Sequence, residues 1–80
     1  MLLDQKLKQA ALSAGLKHLL RGGRKSTERI CRNILELGSS LADRPFSTDQ
    51  LAALYEELQG RLAQMDLEEV RQWVIGKFGL

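Results

Sequence analysis

Apolar residues recur at helical spacing along nearly the whole chain, and the pattern divides into four segments. The first predicted helix runs from about Leu3 to Leu20 and carries two stripes. Leu3, Leu7, Ala10 and Ala14 make one, and Leu12, Leu16, Leu19 and Leu20 the other, so this helix is expected to meet more than one neighbour. Gly15 sits mid-pattern, where it weakens the helix or allows close packing or a bend. Gly22-Gly23 then supplies a stop of the left-handed capping type.

Ser26 or Thr27 caps the second helix, which is expected to reach about Ala42. Ile30, Ile34, Leu37 and Leu41 form its seam, widened by Leu35, while Gly38 and Ser39-Ser40 predict loose last turns and an early end. Asp43-Arg44-Pro45 favours a stop, because proline disfavours helix at the residue before it. Ser47-x-x-Gln50 reads as a capping box for the third helix, with Phe46 placed to staple onto Leu51. Its apolar face is Leu51, Leu54, Tyr55, Leu58, Leu62 and Met65. The fourth helix opens on Asp66-x-x-Glu69 and presents Leu67, Val70, Trp73, Val74 and Phe78. Short connections favour antiparallel neighbours. The predicted fold is all-α, a single domain built as a compact bundle of four helices with a short last one.

Composition supports that class and narrows the chemistry. Leu occurs 16 times in 80 residues, against 7 for Val, Ile and Thr together, which argues against an all-β domain. A domain this short buries only about 60% of the surface its unfolded chain exposes, so binding through a surface is favoured over a deep catalytic pocket. The only cysteine, Cys31, excludes an internal disulfide and suits a reduced thiol beside a helix core, hence a cytoplasmic setting. Asp4, Lys6 and Lys8 follow Met1-Leu2-Leu3 at once, so no apolar signal segment is expected. The longest apolar run, Leu51 to Tyr55, is far short of the roughly 20 residues a membrane span needs.

No catalytic constellation is legible. His18 reads as a partly exposed helix histidine, and Glu56-Glu57 and Glu68-Glu69 splay around their helices. No His/Cys/Asp set has metal-ligand spacing, and neither a metal nor a cofactor is expected. The segment Gly22 to Thr27 invites a phosphate-loop reading, but Arg24 and Leu19 stand where that motif requires glycines. What survives is a loosened backbone beside cations, a setting that favours an anion.

Charge is the most informative feature. Residues 1–40 hold eight Lys+Arg and three acids, net +5, whereas residues 41–80 hold four and seven, net −3. Arg21, Arg24, Lys25, Arg29 and Arg32 fall within twelve residues with Glu28 as the one acid among them, forming a basic patch at the start of helix two. Lys25, Arg29 and Arg32 share a face if the helix begins that early. Such a patch contacts phosphate or nucleic acid, or is a solvated cationic face, or pairs with the acidic second half of this chain or of another copy. A helix-turn-helix aligned on Ala11 and Gly15 fails, since its second helix would bury Arg21 and Arg24 and contain Gly22-Gly23.

Ser47 through Met65, with Leu51-Ala52, Tyr55 and Arg61-Leu62-Ala63, resembles the third helix of the Hha/YmoA nucleoid co-regulators, over about a quarter of the chain. Those are small four-helix bacterial proteins that bind partner regulators. The Gly-Gly-basic segment and Lys77 to Leu80 have no counterpart there, and no residue role is transferred.

The sequence therefore predicts a cytoplasmic, non-enzymatic helical module that binds a protein partner or itself, with Tyr55, Trp73, Phe78 and Leu80 as candidate contacts. A core role suits Trp73 and Phe78 at least as well, and Phe78 and Leu80 are either tucked into the bundle or left as a short apolar tail. The alternative is a nucleic-acid-associated regulator using the basic patch.

Overall fold

The computed structural model describes residues 4–21 and 26–80. The predicted all-α fold is borne out: α1 (Gln5–Arg21), α2 (Thr27–Leu41), α3 (Thr48–Arg61) and α4 (Leu67–Phe78), with a 3-10 turn at Leu62–Gln64. The Gly22-Gly23 stop lies outside the described residues.

Each start is set by a side chain. Asp4 Oδ1 accepts from the Leu7 amide at 3.0 Å, so α1 begins at Gln5, slightly after the expected Leu3. Ser26 caps α2 by accepting from the Arg29 amide. Ser47 and Gln50 close one capping box and Asp66 and Glu69 the other, as their spacing predicts. Gly79 ends α4 in the left-handed conformation (φ 70°), and both its amide and that of Leu80 donate to Ile75 O.

The helix α2 is central, packing on α1, α3 and α4, while α1 also packs on α4. The Cα envelope measures 36 × 27 × 17 Å, and its thin dimension is that of two packed helix layers, with axes about 8–10 Å apart and a Cα radius of about 2.3 Å on each side. The core is thus one layer of side chains: Leu12 and Leu16, Cys31, Ile34 and Leu35, Leu58, then Val70, Trp73, Val74, Phe78 and Leu80.

The α2 helix ends at Leu41, next to the expected Ala42, and the loose last turns that Gly38 suggested do not occur: the helix is continuous through it. Gly38 is a packing residue: a Cβ there would lie 2.7 Å from Phe78 Cδ2, so the α4 ring occupies the place of a side chain. The helix α1 does meet two neighbours, and its apolar share of the core comes from Leu12, Leu16 and Leu19. Leu7, Ala10 and Ala14 of the other stripe stand exposed.

Polar contacts fasten the ends of the bundle. The Leu80 backbone oxygen accepts from the side-chain amides of Gln5 and Gln9, each at 3.0 Å. Lys8 lies buried along the core edge and its ammonium pairs with Asp43, just past α2. Arg71 Nε of α4 donates to Ser13 Oγ of α1 at 2.8 Å.

Candidate functional site

An open apolar groove of about 500 Å³ lies between α2 and α3. Arg32, Leu35 and Glu36 form its α2 wall, and Thr48, Leu51, Ala52 and Tyr55 its α3 wall. Both sets follow steps of three and four, so each is one contiguous helix face. Leu35 is the buried floor, Leu51 and Tyr55 are half-buried, and Ala52 is exposed.

Electrostatics at the rim are local and nearly balanced. Arg32 bonds Glu28 Oε1 at 3.1 Å one turn back, and its guanidinium carbon lies 6.0 Å from the Tyr55 ring centroid. Partial desolvation, reinforced by the Glu28 charge, raises the Tyr55 phenol above its ordinary pKa, so it remains a neutral donor in ordinary buffers. Glu36 makes no ion pair among the described residues. A polar cleft of about 430 Å³ adjoins the groove, formed by Ser26, Glu28, Arg29, Arg32, Asn33 and Glu36.

The structure therefore brings together two residues from separate parts of the sequence reading: Arg32 of the basic patch and Tyr55 of the partner contacts. The other patch members divide. Arg21 ends α1 and Arg29 lies in the first turn of α2, both exposed. Arg24 and Lys25 lie outside the described residues, and α2 starts at Thr27, so the helical face expected to include Lys25 carries only Arg29 and Arg32.

Of the two roles open to Trp73, Phe78 and Leu80, the structure shows the core role, which leaves them almost no surface for a partner. They are 8%, 2% and 1% exposed, because the one-layer core needs their bulk. Phe78 packs at 4.7 Å centroid distance on Phe46, whose ring also carries the Arg44 guanidinium, and Trp73 Nε1 donates to Glu57. The groove itself escaped the sequence reading because it needs two helix faces in register. The signal available was the pair of i, i+3, i+4 sets at 32–36 and 48–52, both mixing apolar and polar residues.

Among the described residues no cluster of three His, Cys, Asp or Glu side chains is placed to hold a metal ion. No described helix is long and apolar enough to cross a membrane. Compared with protein-family models, curated proteins and solved structures, the chain matches none of them significantly. The likeness of Ser47–Met65 to the Hha/YmoA helix thus gains no support from a family match.

Proposed function

We propose that this chain is a non-catalytic helical interaction module that binds a protein partner through the α2–α3 groove. The observation that supports the reading is the groove itself: an open apolar trough floored by Leu35 and Leu51, with Arg32, Glu36, Thr48 and Tyr55 along its edges. An apolar floor with a sparse polar rim matches the anatomy of protein recognition surfaces. A regulatory or adaptor role in a cytoplasm fits this reading, since Cys31 is a lone buried thiol that needs no oxidising compartment.

The nucleic-acid reading has less support. In the polar cleft Arg29 and Arg32 are matched by Glu28 and Glu36, so the formal charge of this part of the basic patch cancels.

The test compares affinity capture by the wild type and by Ala52→Arg, which places a long cation in the groove from an exposed position. A protein retained by the wild type and lost by the variant is expected. Light scattering across a concentration series, with and without duplex DNA, accompanies it. Equal capture by both proteins, or mass gained only with DNA, overturns the reading.

A further inference from the structure

A second surface, between α1 and α4, has a different chemistry. Leu20 of α1 and Leu67 of α4 are 36% and 37% exposed, two of three large apolar residues that stand in solvent among the described residues. They are not scattered: both line one opening of about 370 Å³, together with Lys17 and Arg21. An adjoining opening of about 220 Å³ is formed by Ser13, Lys17, Leu67, Glu68 and Arg71. The two share Lys17 and Leu67, and so make one furrow along the α1–α4 seam.

The charge of this furrow is one-sided. Arg71 is held by Ser13 Oγ and by Glu68 at 3.2 Å, which neutralises both charges. Lys17 and Arg21 have no ion-pair partner among the described residues. Two cations therefore flank two exposed leucines, with no unpaired acid between them.

We propose that the α1–α4 furrow docks an acidic amphipathic helix of another protein, its aliphatic side chains on Leu20 and Leu67 and its carboxylates on Lys17 and Arg21. Helices laid in grooves present apolar anchors about one turn apart, and a furrow between two helices has that linear form. A second copy is disfavoured, because a two-fold axis at the furrow would set Lys17 and Arg21 against their own counterparts. Single-stranded nucleic acid is disfavoured because the lining holds no aromatic side chain on which bases could stack. A bilayer is disfavoured because the leucines line a concavity instead of projecting from it. This site is separate from the α2–α3 groove, and either can fail while the other stands.

The probe is a fluorescein-labelled peptide of about 16 residues with Leu at helical i, i+3, i+4 and i+7 spacing and Glu elsewhere. Fluorescence anisotropy is expected to show saturable binding to the wild type. The double variant Lys17→Glu/Arg21→Glu is expected to weaken it about tenfold or more, and raised salt to weaken it further. Ala52→Arg is expected to leave it unchanged. Amide shift mapping on the wild-type chain gives a readout that no variant can confound, with shifts expected at Lys17–Arg21 and Leu67–Arg71. No binding, equal binding of a Lys-for-Glu peptide, or shifts centred on Leu35 and Ala52 would overturn the proposal. Concentration-dependent dimers lost in the double variant, or tighter binding of vesicles containing about one quarter phosphatidylserine, would overturn it in favour of those occupants.

Discussion

The indole Nε1 of Trp73 donates to Glu57 Oε2 at 2.6 Å, and the same oxygen lies 3.1 Å from the Lys77 ammonium. The contact ties α4 to α3 across the edge of the core and satisfies the one polar atom of a nearly buried ring. The Lys77 and Trp73 hydrogen bonds together hold Glu57 below its ordinary carboxyl value of 4.5. A carboxyl depressed by folding contributes stability above its unfolded pKa, and that contribution is lost as pH falls through the folded pKa. Thermal midpoints should therefore decline in acid, and Glu57→Gln should flatten that decline while lowering the midpoint at neutral pH. Parallel acid limbs for the two proteins would count against this role.

Glycines separate by what faces them. Gly38→Ala would push a Cβ to within 2.8 Å of two Phe78 ring atoms, and overpacking of this kind costs about 1–3 kcal/mol. At Gly15 the facing atom is the tip of Leu37, which can turn away, so Gly15→Ala should be near neutral. Gly76 faces open space inside α4, and Gly76→Ala should gain about 0.5–1 kcal/mol. Urea denaturation would rank the three; an ordering with Gly38→Ala the mildest would refute the packing role.

The Lys8–Asp43 pair has one buried and one exposed member, with side chains 6% and 52% exposed. Asp43→Ala leaves the ammonium with its charge uncompensated and should cost about 1–3 kcal/mol. Lys8→Met keeps the apolar stem and removes the charge, so it should cost less than Asp43→Ala. The reverse order in chemical denaturation would show that the alkyl stem, not the charge, matters there.

Burial also pushes the Cys31 thiol above its ordinary value of 9.0. A thiol raised by folding favours the native state below its unfolded pKa, and that advantage fades as pH climbs beyond it. Labelling by an aromatic disulfide at mildly alkaline pH should follow unfolding, with a rate that rises alongside urea. Rapid labelling of the native protein would contradict the packing around Cys31.

The helices, the caps of α2, α3 and α4, and most of the core were legible because periodicity and capping chemistry are local. Leu58, Val70, Trp73, Val74 and Phe78 all lie where their spacing predicts. The residues that misled were those whose role depends on a distant neighbour. Gly38 looks like a helix breaker until Phe78 fills the space beside it. Leu7 looks like core until α2 and α4 are seen to cover only the Leu12–Leu16 side of α1. Of the candidate site, Arg32 and Tyr55 could be named from sequence, but not their proximity, which arises only when α2 and α3 pack.

The hydrogen bonds from Gln5 and Gln9 to Leu80 join positions 75 and 71 apart in the chain. They are expected to make α1 and the last turn of α4 open together, because separating the two exposes the buried Leu80 side chain and breaks both bonds. Amides of α1 and of residues 75–80 should then exchange with solvent at one common free energy. A molecule that is four helices in outline is, at this edge, one latch.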